Sequence, residues 1–285
     1  MIDGKAILSE MTAKSEARFG YSSEGKVMPG FCDDYQVCDR KIKPGTMERK
    51  LINMITRFSG LKTFKNETAP HYKAMCWWLN DLNNRNNMNY HESMLIQRYL
   101  LALIYFSNGG VKWHNAKNWI SQEPECTWYG ISCEVDQNII SKVNLSSNNL
   151  KGTIISEIGE FRGLEYLALD SNGLEGLIPK EIIKAQNLMT LKLAKNKLKG
   201  RIPVEMKYLT SMKELDLSMN RLTSAIPPEL GAYMDIKYLD LSLNSLSGEL
   251  SENFRFWNKL NFLNLSSNFF YGNADILKNF TTLGK

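Results

Sequence analysis

The stretch LMTLKLAKNKLKGRIP, residues 188–203, decides the fold. Leu191 and Leu193 alternate with polar neighbours, the period of a short β-strand that turns its aliphatic side chains to one side. Asn196 closes the strand, and Leu198, Gly200 and Ile202-Pro203 follow at fixed offsets. The phrase returns along the chain: Asn148, Asn172, Asn196, Asn220, Asn244 and Asn268 stand 24 residues apart without a slip. Each asparagine ends a strand phrase, from Val143-x-Leu145 and Leu167-x-Leu169 through Leu215-x-Leu217 and Leu239-x-Leu241 to Leu263-x-Leu265. Ile140, Leu164, Leu188, Met212, Ile236 and Leu260 stand three residues ahead of each phrase. One such strand cannot bury its own apolar face, so neighbouring copies must stack into a parallel sheet with strands about 4.8 Å apart. Residues 140–285 therefore read as six repeats of an α/β repeat solenoid with a curved parallel sheet.

The asparagine sits where the strand ladder stops, and its amide can satisfy backbone groups in the bend, so that stacked copies form a ladder of their own. Two residues on comes another buried position (Leu150, Leu174, Leu198, Leu222, Leu246, Phe270), then a glycine suited to positive φ at five of the six places, with Ser224 breaking the pattern. Ile178-Pro179, Ile202-Pro203 and Ile226-Pro227 bury an isoleucine and fix an extended bend.

The 24-residue phrase LxxLxLxxNxLxGxIPxx resembles the plant-type leucine-rich repeat of receptor-kinase ectodomains and polygalacturonase-inhibiting proteins. Ile155 and Ser251 stand where that pattern has proline, and the sixth repeat drifts at Asn273-Ala274-Asp275-Ile276, so the geometry opposite the sheet is expected to depart in the first, fifth and sixth repeats. A solenoid needs its first apolar layer covered. The segment before Ile140 carries Trp113, Trp119 and Cys126-Thr-Trp-Tyr-Gly-Ile-Ser-Cys133, which resembles the cap preceding plant-type repeats. The resemblance implies that Cys133 is disulfide-bonded, with Cys126 the nearer partner, and that the tryptophans form a packed cap core rather than a ligand cage.

Upstream, Glu92 to Phe106 carries a broad apolar helical face ended by Asn108-Gly109-Gly110, Ala69 to Leu82 reads as a second helix, and Met47 to Phe58 as a third. Residues 46–139 are thus a helical region plus cysteine/tryptophan cap. Residues 1–45 read as disordered or a linker. The run Gln97-Arg98-Tyr99-Leu100-Leu101-Ala102 with Gly109-Gly110-x-x-Trp113 resembles leucine-rich-repeat proteins abundant in diatoms, which implies an extracellular or membrane-associated setting.

Composition narrows the partners. The net charge of +5, from 35 basic and 30 acidic residues mixed along 285 positions, does not point to nucleic acid. The longest apolar run, Tyr99 to Phe106, falls short of the roughly 18 residues of a membrane helix. The first 25 residues lack the apolar centre of a secretory signal. The cysteines point the other way, because Cys126/Cys133 and Cys32/Cys38 are spaced for two local disulfides. Cys76 is then left over, and reads as a small buried hydrophobe rather than a reactive thiol.

No catalytic constellation emerges. His91-Glu92 opens a metalloprotease phrase, but Leu95 occupies the second ligand position, and His71, His91 and His114 make no zinc pattern with the cysteines. Phosphate-cradling loops, kinase phrases and nucleophile elbows are missing from the sequence. No cofactor is expected, and the chain reads as a binding protein rather than an enzyme.

Strand parity places the residues between the buried leucines on the concave side of the sheet. The first stripe is Lys142, Tyr166, Thr190, Glu214, Tyr238 and Phe262; the second is Asn144, Ala168, Lys192, Asp216, Asp240 and Asn264; the third is Ser146, Asp170, Ala194, Ser218, Ser242 and Ser266. Tyr238 and Phe262 beside Asp216 and Asp240 suit a partner offering apolar anchors and a basic group. The competing reading is a solvated sheet face whose aromatics only pair across strands. Sequons at Asn66, Asn144, Asn264 and Asn279 are glycosylation candidates, and glycans on Asn144 or Asn264 would block part of that face. After Leu265 the chain has barely one more turn, so a partner or a further segment is expected over the last strand. The leading expectation is the recognition module of a receptor-like extracellular or membrane-tethered protein in signalling, binding a peptide, protein or glycan. A secreted hydrolase inhibitor and an intracellular leucine-rich-repeat scaffold are the alternatives.

Overall fold

A computed structural model describes residues 35–37, 40–43, 45–60, 64, 66–84, 92–134, 138–273 and 275–276. The chain divides into two compact units, Met1–Ile52 and Asn53–Lys285. In the smaller unit, β1 (Tyr35–Val37) pairs antiparallel with β2 (Arg40–Ile42). The hairpin falls within residues 1–45, most of which lie outside the described residues. Helix α1 (Met47–Ser59) crosses the boundary in sequence.

The larger unit holds α2 (Pro70–Asn84), α3 (Glu92–Ser107) and the repeats. All three helices follow the apolar periodicity to within two residues of the expected ends. Each repeat gives one strand to the main sheet: β4 (Ile140–Asn144), β6 (Tyr166–Ala168), β8 (Thr190–Lys192), β10 (Glu214–Asp216), β12 (Tyr238–Asp240) and β14 (Phe262–Asn264). They pair in parallel and in strict repeat register, Tyr166 opposite Thr190, Thr190 opposite Glu214, Glu214 opposite Tyr238 and Tyr238 opposite Phe262. The cap strand β3 (Ile131–Cys133) closes the near edge antiparallel to β4. Beyond each asparagine a second strand forms, β5 (Lys151–Thr153), β7 (Gly173–Gly176), β9 (Lys197–Gly200), β11 (Arg221–Ser224), β13 (Ser245–Glu249) and β15 (Phe269–Tyr271), and these build a second sheet.

Between the sheets the leucines of the strand phrase are sealed, with Leu145, Leu193, Leu217 and Leu241 all 0% exposed. Burial of each such side chain contributes about 1.5–3 kcal/mol. Opposite the main sheet, single 3₁₀ turns at Ser156–Glu160, Lys180–Lys184, Val204–Tyr208, Pro228–Ala232 and Glu252–Phe256 bury Ile158, Ile182, Met206, Leu230 and Phe254. The expected departure in the first and fifth repeats is not found. Ile155 (φ −66°, ψ 142°) and Ser251 (φ −73°, ψ 140°) hold the same extended bend as Pro179 (φ −69°, ψ 130°). Ser251 also caps its turn by accepting the amide of Asn253.

The asparagine ladder is complete. Asn196, Asn220, Asn244 and Asn268 each direct the amide nitrogen at a carbonyl of the preceding repeat and at carbonyls of their own bend. Their Oδ1 atoms accept the amides of Leu174, Leu198, Leu222 and Leu246. Asn148 has no repeat before it and exchanges both bonds with the backbone of Asn115, which ties the ladder to the cap.

Candidate functional site

Along the first stripe the side chains between the buried leucines are half-buried or exposed, whereas Ala168 and Asp240 of the second stripe are buried. Tyr238 and Phe262 stack face to face, ring centroids 4.4 Å apart and planes 6° from parallel. Lys142 holds its Nζ 4.5 Å from the centre of the Tyr166 ring, and Lys192 approaches the same ring at 5.9 Å. Lys192 also pairs with Glu214 at 3.2 Å across the adjacent strand. Thr190 lies half-buried between Tyr166 and Glu214 in register.

Beside the aromatic stack, Asp216 accepts the hydroxyl and amide of Ser218 at 2.7 and 3.0 Å. Asp240 accepts the amide of Ser242 at 2.9 Å, and Asn264 reaches it at 3.5 Å. Burial pushes the Asp216 carboxyl above its ordinary range against the Ser218 bonds, with Asp240 and Asp170 adding to the rise. Burial, followed by the charges of Asp216, Asp240 and Glu214, pushes the Tyr238 phenol up to about 12. Burial acts to lower the pKa of Lys192, but the hydrogen bond and charge of Glu214, with Tyr166 and Asp170, hold it above the ordinary lysine value. The carboxylates near Tyr238 thus lie close enough to feel one another, and a cation set among them would be drawn in.

The third stripe does not present itself as the first does. Ala194, Ser218 and Ser242 are buried, because small side chains on short strands sink between bulkier neighbours. Among the sequons, Asn66 is exposed with its Oδ1 accepting from Thr68, and Asn264 accepts likewise from Ser266. Asn144 accepts the amide of Ser146; Asn279 lies outside the described residues.

The cap is a packed aromatic core, as the sequence suggests. Trp113 meets Trp119 at 4.8 Å, Trp119 meets Trp128 at 5.2 Å, and all three indole N–H groups donate to backbone carbonyls. Cys126 and Cys133 are disulfide-bonded. Cys76 is disulfide-bonded too, which corrects its reading as a leftover buried thiol; Cys32 and Cys38 lie outside the described residues. Two features escaped the sequence reading. Arg98, 2% exposed, places its guanidinium between Trp77 and Trp128 and donates to Asp81, Glu125 and the carbonyls of Ser121 and Glu123. His71 pairs with the buried Glu157 of the first repeat at 2.9 Å. Among the described residues no cluster of potential metal ligands occurs, and no helix is long and apolar enough to cross a membrane.

Family models of the leucine-rich repeat match residues 162–222 and 235–257. No curated protein matches the chain by sequence. Among solved structures, the ectodomain of the receptor kinase SOBIR1 from Arabidopsis thaliana is 25% identical, with a TM-score of 0.55 over 66% of this chain and 100% of that one. The ectodomain of the Arabidopsis receptor kinase HAESA, solved with an extended IDA peptide hormone, is 28% identical with a TM-score of 0.55 over 61% of this chain. PEPR1, solved with AtPEP1, is 29% identical with a TM-score of 0.53 over 55% of this chain. The chain spans only 30% of the HAESA ectodomain and 22% of the PEPR1 chain. The repeat phrase, the two parallel sheets and these likenesses together make the chain a plant-type leucine-rich-repeat protein.

Proposed function

We propose that the chain is a recognition module that binds a peptide or a peptide segment of a protein on the outward, concave face of its main sheet, and that it catalyses no reaction. The observation that carries this reading is the stacked Tyr238–Phe262 pair, with Phe262 40% exposed, beside Asp216 and Asp240. Aromatic anchors with an adjacent charge are the groups that supply most binding energy at protein interfaces. The peptide hormone bound to the HAESA ectodomain supports the same ligand class. The disulfides at Cys126–Cys133 and Cys76 favour an oxidising compartment, so the setting we propose is an extracellular or membrane-tethered receptor-like protein, with Asn66, Asn144, Asn264 and Asn279 as candidate glycosylation positions and glycans a less favoured ligand. The exposed Phe262, Phe269 and Tyr271 on the last repeat belong to the same proposal, as the place where a partner or a further segment covers the final strand.

The test is selection from a displayed library of random peptides, with the disulfide-bonded protein as bait and its Tyr238→Ala/Phe262→Ala variant as counter-bait. Enrichment of peptides that carry an aromatic or aliphatic anchor next to Lys or Arg, lost on the counter-bait, is expected. Equal recovery on both baits would refute the assignment of this face.

A further inference from the structure

Away from that face, the larger unit carries an open cavity of about 820 Å³ among the helices and the first two repeats. Its apolar walls come from Met54 and Phe58 of α1, Ile96 of α3 and Ile139 ahead of β4, and all four side chains stay only half-buried. The polar atoms of Gln97, which also borders the cavity, are already used: Oε1 accepts the amide of Ile140 and Nε2 donates to the carbonyl of Asn138. Apolar surface thus makes up most of the wall, with Ser93 and Asn187 as further polar side chains, in the volume range of a small-molecule site.

The rim is charged and unbalanced, with Arg57, Arg162 and Lys184 against Glu134 and Glu160. Glu160 is taken up by Lys184 at 2.6 Å and, more loosely, by Arg162 at 3.7 Å. The Arg162 side chain is 80% exposed, and Arg57 is exposed with no carboxylate partner among the described residues. A guanidinium at the mouth of an apolar cavity has donors in a planar fork that matches an oxyanion.

We propose that this cavity binds a small amphipathic anion, its apolar body against Met54, Phe58, Ile96 and Ile139 and its carboxylate, sulfonate or phosphate on Arg57 and Arg162. A ligand seated there would touch both the helices and the turns of the first two repeats. Occupancy would therefore stabilise the docking of one on the other by mass action.

The experiment is a fluorescence titration of the full disulfide-bonded chain with two probes of similar body, anilinonaphthalene sulfonate and uncharged phenylnaphthylamine. Saturable binding of both is expected. Arg57→Glu weakens the sulfonate by about tenfold or more while leaving the neutral probe within about twofold, since only the former loses a charge partner. Ile96→Trp narrows the space at its apolar wall and weakens both. Arg57→Gln, at an exposed helical position that does not put the fold at risk, repeats the charge test with a smaller effect in the same direction. Charge reversal that shifts both probes equally or neither, or a sulfonate indifferent to Ile96→Trp, would overturn the proposal.

Discussion

Replacing Asn220 by alanine should be among the most damaging single changes in the solenoid. Asn220 is 9% exposed. Its amide nitrogen lies 2.9 Å from the carbonyl oxygen of Leu193 in the preceding repeat and 3.1 Å from those of Leu217 and Ser218 in its own bend. Its Oδ1 accepts the amide of Leu198 at 3.0 Å. Alanine leaves that amide and the Leu193 carbonyl without these partners in a water-excluded layer, and loosens the bend around a residue already held in the left-handed region, Met219 at φ 53°. At about 1–3 kcal/mol for each orphaned buried group, the loss comes to about 3–5 kcal/mol, a large share of the roughly 5–15 kcal/mol that holds a domain. Urea unfolding followed by circular dichroism measures it as a fall in midpoint at constant slope. Asn268 makes the same set of bonds at the more open end of the ladder, so Asn268→Ala should cost only about 1–2 kcal/mol as water replaces the amide. A loss below about 1 kcal/mol at Asn220, or an equal loss at Asn268, would refute the claim that the ladder holds the bends.

Arg98→Ala strips Asp81 and Glu125 of a buried guanidinium and should cost about 3–5 kcal/mol in the same assay, with Arg98→Lys a poor rescue because an ammonium cannot reproduce the fork. Ser224 adopts φ 71° at an exposed position where most repeats have glycine, so Ser224→Gly should raise thermal stability by somewhat less than about 1 kcal/mol, the relief of strain exceeding the added chain entropy. The Cys126–Cys133 bridge closes a short loop, and Cys126→Ser/Cys133→Ser should lower stability by about 2–3 kcal/mol in urea unfolding. Burial pushes the Glu157 carboxyl up, but bonds from His71 and Ser59 and the charge of His71 outweigh it, leaving the pKa below its ordinary value of 4.5. A lowered carboxylate pKa contributes stability that is present above the unfolded value and lost as pH falls through the folded one. Glu157→Gln should therefore flatten the dependence of unfolding free energy on pH in the acid range below 4.5 without changing it near neutrality.

Much of this architecture was legible because a solenoid writes long-range structure as short-range period. Asn196 meets Leu169 and Leu174 across one repeat, a fixed offset, so the ladder could be read from spacing alone. Arg98 could not be read that way. It sits on a helix where a charged residue ordinarily faces water, and its partners Asp81 and Glu125 come from unrelated segments brought together only by packing. His71 and Glu157, 86 residues apart, are illegible for the same reason. The left-handed residues ahead of each asparagine, Lys195, Met219 and Leu243 among them, carry no glycine to announce them. The bend is imposed on side chains with no preference for it, because the asparagine and the amide bonds to the next repeat outweigh the local strain.

The same division explains why the face is variable while the scaffold is not. Positions such as Leu193, Asn196 and Leu198 are committed to the core and the bends. The first-stripe residues between them are half-buried or exposed and less constrained by packing, and along that stripe they change character in order. Lys142 and Tyr166 near the cap form a cation–aromatic pair, whereas Tyr238 and Phe262 at the far end stack beside Asp216 and Asp240. With strands about 4.8 Å apart, these two ends are separated by roughly 20 Å, within the span of an extended peptide of about six residues. An extended ligand with one acidic and one basic end can satisfy both ends in a single direction only; reversed, it sets like charges together at each end. If the sheet face binds a peptide as proposed, the order of charge along it sets the direction of that peptide, and a period that fixes the backbone leaves that order free to be set one residue per repeat.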